Sequence, residues 1–376
     1  MPTMRATFPH LLHLDIALGI LYPTLGIEIV PPPPITQKTI EIGVKLAPQN
    51  ACFPLKVTLG NFIEAIEQGA DTLFMVGGVG PCRFGYYGQI QRLILEDLGY
   101  KVRFVLLDHP RYGVRPFLEA LRTMAGGRFS LPRIVQAVRL SWGVLRFTEE
   151  LEAKRRALRC QVEHPQSLDQ VIDGTLEALR HITSLEELEA LKKKSAEALS
   201  ALPRKDVENP LRVGIVGEVY IAQETRVNFN VERLLGDLGV YVHNSVSTVE
   251  YILHTLRPFT RSQEKMEAWK LAQPYLKRFV GGEGIDSVGS AIRYAREGFD
   301  GVVHLYPFTC MPEIVAKGVL QAVSRDFDLP ILHLAIDEHS GEAGLVTRVE
   351  AFVDVLERRR WERKRRLERD GALSRR

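Results

Sequence analysis

Three cysteines stand where helices are expected to begin: Cys52 in APQNACFPLK, Cys82 in VGGVGPCRFGYYGQ and Cys310 in YPFTCMPEIV. A helix N-terminus favours negative charge, and the thiolate is the form of cysteine that binds metal or reacts. Cys82 and Cys310 each follow an apolar run read as a strand, and ligands of open α/β sheets lie outside the carboxyl ends of strands. Cys52 heads a helix after a proline-bearing turn. Three thiols drawn from two units can therefore meet in the crevice between them. Soft thiolates with no His-x-x-x-His set point first to an iron–sulfur cluster and second to zinc. The spacing 52, 82, 310 contains no C-x-x-C, so buried thiols acting as small hydrophobes, or thiol catalysis, stay open as alternatives. Cys160 lies inside the charged run LEAKRRALRCQVEH and is set aside.

The glycines before Cys82 invite a nucleotide reading, which the spacing rejects. Gly78 and Gly80 give G-x-G, but position 83 is Arg, and the chain holds no G-x-x-x-x-G-K-[ST]. GGEGIDS (281–287) is closer in spacing but follows a helical run instead of a strand. Other polar groups at strand ends are Glu218, His304 and the run DEHSGE (337–342). Asp337, Glu338, His339 and Glu342 could serve acid–base or hard-metal chemistry, though capping of the following helix accounts for them more simply. His304, inside an apolar strand, reads as a satisfied core histidine. Arg83, Tyr86 and Tyr87 beside Cys82 could line a pocket or donate to cluster sulfurs, or simply pack. Glu218, Arg83 and Tyr86 are the catalytic candidates, with Asn50 nearby in sequence to Cys52.

The elements that must place these residues follow from the apolar patterning. The chain has 376 residues, 45% hydrophobic, enough for two cores. Its net charge of +3 is unevenly spread: residues 357–376 hold ten of the 49 basic and four of the 46 acidic residues, leaving 39 basic against 42 acidic elsewhere. The body is therefore not of the nucleic-acid-binding type, and the tail reads as a solvated helix before it reads as an RNA or lipid contact. No run of about 18 apolar residues is present, and the apolar start is broken by His13 and Asp15 and lacks a cleavage signature. A cytoplasmic protein with no membrane partner is expected, and four cysteines suggest no disulfide framework.

Strands are expected at 5–9, 27–30, 72–78 and 101–108, with helices at 10–25, 53–68 and 84–98. Four prolines, 31–34, interrupt regular structure. ITQKTIEIGVKL (35–46) alternates like a strand but follows a strand and a turn; helix is preferred. From about 115 to 208 glycine thins out and charged helical spacing takes over, giving a helical insert or arm with PRKDVENP (203–210) as its exit linker. Strands return at 212–219, 240–246, 301–308 and 331–336, with a helix at 231–239. The expectation is an α/β chain of two doubly wound parallel-sheet domains: 1–115, a helical insert or arm 116–208, and 209–376 with a basic C-terminal helix.

The two α/β units are related. LILEDLGYKVRFV (93–105) matches RLLGDLGVYVHNS (233–245) in helix, glycine cap and strand order. GADTLFMVGGVGPC (69–82) matches GFDGVVHLYPFTC (298–310): Gly-x-Asp, strand, proline, cysteine, helix. Two thiols thus hold equivalent places in two domains.

Four blocks carry a further resemblance: ACFPLKVTLGNFIEAIEQGADT, GGVGPCRFGYYGQIQRLILEDLGY, YPFTCMPEIV and DEHSGEAGLVTRVEAFVD. They are similar to the 2-hydroxyacyl-CoA dehydratase superfamily, and more closely to its stand-alone cluster proteins, often labelled CoA-enzyme activase-related. The resemblance spans most of both α/β units and is weak across the insert. It implies two flavodoxin-like domains with a 4Fe-4S cluster in the cleft, held at positions matching Cys52, Cys82 and Cys310. The fourth iron site would be open, or filled by substrate, water or sulfide. It implies an ATP-hydrolysing activator of actin-like fold that delivers a low-potential electron, for radical dehydration of a 2-hydroxyacyl-CoA or reduction of a small molecule. A homologous second subunit or a homodimer is implied as well. The chain departs from the pattern in three ways: too few cysteines for a double cubane, no actin-like ATPase signature and no CoA-binding signature. Two other functions stay in play: a non-catalytic electron carrier or accessory subunit, and a zinc-stabilised structural protein.

Overall fold

The computed structural model describes residues 4–78, 80–108, 113–124, 131–256 and 262–373, so Val79 of the Cys82 loop and the last three residues of the basic tail lie outside the described residues. The first unit runs β1 (Arg5–Thr7), α1 (Leu14–Thr24), β2 (Glu28–Ile29), α2 (Gln37–Leu46), α3 (Phe53–Glu67), β3 (Thr72–Val76), a 3-10 turn (Arg83–Tyr86), α4 (Tyr87–Asp97) and β4 (Arg103–Leu107). Then come α5 (Val114–Met124), α6 (Leu131–Arg159), α7 (Pro165–Leu179) and α8 (Leu185–Ser200). The second unit runs β5 (Arg212–Gly217), α9 (Val219–Gln223), α10 (Val231–Asp237), β6 (Tyr241–Asn244), α11 (Thr248–Leu256), α12 (Gln263–Ala272) and α13 (Gly284–Arg296). It closes with β7 (Gly301–Pro307), α14 (Met311–Asp326), β8 (Ile331–Ile336) and α15 (Glu342–Leu373).

Each unit has a four-stranded sheet whose pairings are all parallel, in the orders β2-β1-β3-β4 and β6-β5-β7-β8. These are the same order, that of a flavodoxin-like sheet without its fifth strand. All seven residues of β7 are buried, as a parallel strand covered on both faces requires. The Gly-x-Asp repeat is a structural lock. Asp71 accepts from the Arg5 backbone N–H at 3.1 Å and Asp300 from that of Arg212 at 2.9 Å, so each aspartate ties the start of a third strand to the start of a first.

The ambiguous segment 35–46 is a helix, α2, and its ends show why. Thr36 and Thr39 form a reciprocal capping box that satisfies N-terminal donors. Glycine then lets α2 and α3 touch backbone to backbone: a Cβ on Gly60 would stand 1.9 Å from the Thr39 carbonyl oxygen. The second unit repeats the device, since a Cβ on Gly289 would stand 1.9 Å from the Ala268 carbonyl oxygen, pressing α13 onto α12.

α3 is buried along 13 of its 15 residues, with Phe53 and Val57 packed into the core of the second sheet and Leu55 and Leu59 into that of the first. Lys56, on this helix, is buried and ion-paired with Glu338, joining the units. The segment read as an insert or arm packs as a brace. Its core, including Val144, Leu151 and Ile172, takes in Ile16 of α1 and Val249 of α11. Arg156 and Arg159 of α6 pair with Glu232 and Asp237 of α10. Both units are thereby held against one long helix.

Candidate functional site

The carboxyl ends of β1, β3, β5 and β7 open onto one cleft of about 260 Å³. Cys82 and Cys310 line it, together with Glu218, Glu283, Glu313 and Tyr87, while Phe8, Leu14, Leu18 and Phe74 give it an apolar flank. Each of the three cysteines is the N-cap residue of its helical element: Cys52 of α3, Cys82 of the 3-10 turn and Cys310 of α14. Cys52 does not line the cleft. It is buried behind it, with its thiol 3.9 Å from the Thr309 carbonyl oxygen.

The loops that carry these thiols are tied to one another. Thr309 Oγ1 donates to the Ala51 carbonyl at 3.4 Å, joining the residues that precede Cys310 and Cys52. Arg83, immediately after Cys82, donates through Nη1 to the Asn50 carbonyl at 2.7 Å and through Nη2 to the Thr309 carbonyl. One guanidinium thus fastens all three cysteine loops, a task its planar fork of donors suits and an ammonium does not. On the far side of Cys82 sits Gly281, φ +89°, where a Cβ would come within 2.7 Å of the Cys82 backbone nitrogen. Among the described residues no group of three His, Cys, Asp or Glu is gathered closely enough to grip a single ion. The three loops converge, but not on one point.

Thiolate stabilisation by helix N-termini is expected from the sequence, and in the structure burial outweighs it. Burial pushes Cys82 up to about 11; the Phe84 N–H eases the shift, while Glu218, Cys52 and Glu313 reinforce it. Cys310 is raised further, again mainly by burial and then by Glu313 and Glu218. Two pKa units amount to about 3 kcal/mol, against about 0.3–1 kcal/mol from a helix terminus. The metal-free chain therefore keeps both thiols protonated. The donor set still suits an iron–sulfur cluster: sulfur ligands alone, in loops tied to one another, with the Phe84 and Glu313 backbone N–H groups turned toward Cys82 and Cys310. Metal coordination would displace the thiol protons outright.

Of the catalytic candidates, Glu218 is in the cleft. It caps α9, accepting from the Ile221 N–H at 2.9 Å, and burial with the nearby Glu313 and Glu283 raises it to about 7. Arg83 is a fastener between loops. Tyr86 is 65% exposed and points away, and Tyr87 lines the cleft in its place, hydrogen-bonded to Cys52. His304 is wholly buried and satisfied, as read. The DEHSGE run builds a local turn, with Ser340 and the His339 N–H donating to Asp337, and Glu338 pairs with Lys56. Cys160 is buried at the end of α6, its thiol 3.8 Å from the Ala157 carbonyl oxygen.

Sequence reasoning missed Glu313, Glu283, Lys265 and Tyr251. Glu313 is fully buried three positions after Cys310 and is raised to about 8, mainly by burial and then by Glu283. Glu283 is ion-paired with Lys265, which also stands 3.7 Å from Asp286. An acid three residues past a helix-entry cysteine, PFTCMPE, was the available signal for Glu313.

Residues 19–76 match the family described as the CoA enzyme activase uncharacterised domain. The matched stretch runs from α1 to the end of β3 and contains Cys52 but neither Cys82 nor Cys310. It relates the chain to CoA-enzyme activase proteins; the narrower kinship with the dehydratase superfamily lies beyond it. No curated protein matches the chain. No described helix is long and apolar enough to cross a membrane.

Proposed function

We propose that Cys52, Cys82 and Cys310 hold a 4Fe-4S cluster and that the cleft above it is a reaction site of the 2-hydroxyacyl-CoA dehydratase type. Such a cluster, when bound, supplies a low-potential one-electron centre with one iron not ligated by the protein. The observation that carries this reading is the Arg83 clamp: one side chain fastens the loops of three cysteines that are far apart in sequence. A cubane takes its ligands from thiols standing roughly 6–7 Å apart, and the separation of the three sulfurs is the quantity that distinguishes it from a single zinc ion.

The chain's own residues would do the rest. Leu14, Leu18 and Phe74 take up an apolar part of the substrate and keep water out. Glu218, raised to about 7, can hold or release a proton at Oε1 near neutral pH while Oε2 stays on the Ile221 N–H. The apolar flank favours a substrate-handling protein over an accessory electron carrier, which needs no such space. The electron donor in this reading is an ATP-hydrolysing activator protein, a partner consistent with the activase-related match.

Anaerobic purification and reconstitution, with iron and sulfide analysis, tests the reading. About four irons per chain are expected, with Cys52→Ser, Cys82→Ser and Cys310→Ser each losing iron and Cys160→Ser keeping it. Fewer than about three irons in the unaltered chain would sink it.

A further inference from the structure

Glu313 has a neighbour on each side that the cluster reading leaves unused. Its Oε2 accepts from Ser287 Oγ at 2.9 Å and lies 2.8 Å from His304 Nε2, whereas Oε1, in a side chain with no solvent exposure that lines the cleft, has no hydrogen-bond partner. His304 continues the chain: its Nδ1 is 2.9 Å from Nδ1 of His333. The two histidines are register partners on β7 and β8, so the sheet itself sets their spacing. Tyr306 stacks on the His304 ring at 4.6 Å and 19° and fixes its plane. His333 is only half-buried, on the outermost strand of the sheet, β8.

We propose that Glu313, His304 and His333 form a proton path that leads from the cleft, along the face of the second sheet, to solvent. The hydrogen bonds admit one arrangement suited to delivery. In it Ser287 and His304 both donate to Oε2, and the carboxyl proton sits on Oε1. His304 then carries its proton on Nε2 and accepts at Nδ1 from the Nδ1–H of His333. Delivery moves four protons by one place each. Oε1–H goes to a basic oxygen or carbon in the cleft, and Oε2 takes the proton of His304 Nε2. His304 Nδ1 takes the proton of His333 Nδ1, and His333 Nε2 takes one from water. One proton enters the cleft, one leaves the solvent, no electron moves and neither ring acquires a charge.

Neutral rings are what the surroundings enforce. Burial and Lys317 push His304 down to about 3; burial, His304, Lys317 and Arg348 push His333 to about 4. The path thus works by change of tautomer and not through an imidazolium. Glu283, paired with Lys265, and Glu218 are further charges on the Glu313 side.

The inference takes the cleft as the reaction site and so rests on the function proposed above, but its test needs no cluster. The probe is exchange of the His304 ring N–H with water, read by NMR on the full-length chain labelled with nitrogen-15 at histidine. In wild type, exchange through His333 is expected to outrun local opening of β7. His333→Phe removes the relay, and His333→Gln keeps a hydrogen-bonding group that cannot pass a proton; both are expected to slow exchange at least about tenfold. Amide protection along β7 and β8 should be unchanged in His333→Gln, which a purely structural role for His333 would not allow. Exchange that is unaltered in both variants overturns the path. Iron content of the same preparations separates the two ideas: missing iron defeats the cluster reading and leaves the exchange result standing.

Discussion

Replacing Glu218 by glutamine should stabilise the metal-free chain at high pH and leave it unchanged at low pH. Glu218 is raised from 4.5 to about 7, first by burial and then by Glu313 and Glu283, with the Ile221 and Tyr220 N–H groups opposing. For an acid raised in this way the folded chain keeps a proton that the unfolded chain has already lost. Its contribution is fully favourable below about pH 4.5 and declines as pH climbs through about 7. A shift of about 2.5 units at 1.36 kcal/mol per unit comes to about 3 kcal/mol. Glu218 borders the cleft, and screening there brings the figure to about 2 kcal/mol. The glutamine amide oxygen can still accept from Ile221, so the cap of α9 survives while the titration disappears. Denaturant unfolding of both proteins, metal-free and reduced, should give nearly equal stabilities at about pH 4 and below and a variant more stable by about 2 kcal/mol near pH 8. Parallel curves across that range, or a variant weaker at pH 8, would refute the reasoning.

Arg83→Met removes two charge-assisted hydrogen bonds to carbonyls at a half-buried site, costing about 2 kcal/mol locally. Amide exchange at 50–52 and 309–311 should speed by about thirtyfold, reconstituted iron should wash out faster on gel filtration, and Arg83→Lys should not restore either. Gly60→Ala drives a methyl into the Thr39 carbonyl and should lower stability by about 1–3 kcal/mol, read as a drop in Tm. Gly318→Ala in α14 meets nothing within 4 Å and should raise stability by about 0.8–1 kcal/mol through helix propensity alone.

Local signals made the sheets readable from the sequence. Gly-x-Asp before β3 and β7 marks the same backbone lock twice, and the apolar runs ending in Cys82 and Cys310 give equivalent cysteine positions. The segment 35–46 alternates like a strand over 40, 42, 44 and 46. Its helix is decided by Thr36, Thr39 and a glycine contact with α3, the last of which is tertiary and invisible in one dimension. Tyr86 fails as a cleft residue for a similar reason. The stretch expected to be α-helical from Phe84 begins as a tighter 3-10 turn, and the change of pitch turns Tyr87 inward and leaves Tyr86 outside. Glu313 escaped because its burial depends on His304 and Ser287, which come from another strand and another helix.

The repeated sheet order also bears on why three thiols, and not four, stand at helix entries around the cleft. Cys82 and Cys310 follow equivalent strands in sheets of the same order. Cys52 heads α3, the helix between the second and third strands of the first unit, and its counterpart in the second unit is the entry to α13. The N-cap residue there is Glu283, and the two glycines before it, Gly281 and Gly282, lie against Cys82: a Cβ on Gly281 would strike its backbone and one on Gly282 would stand 3.8 Å from its sulfur. Small residues there keep the fourth side of the cleft clear, and Glu218 and Glu313 face the space that remains. In the cluster reading proposed above, two sheets of the same strand order would give a site with three sulfur ligands and one side left to substrate.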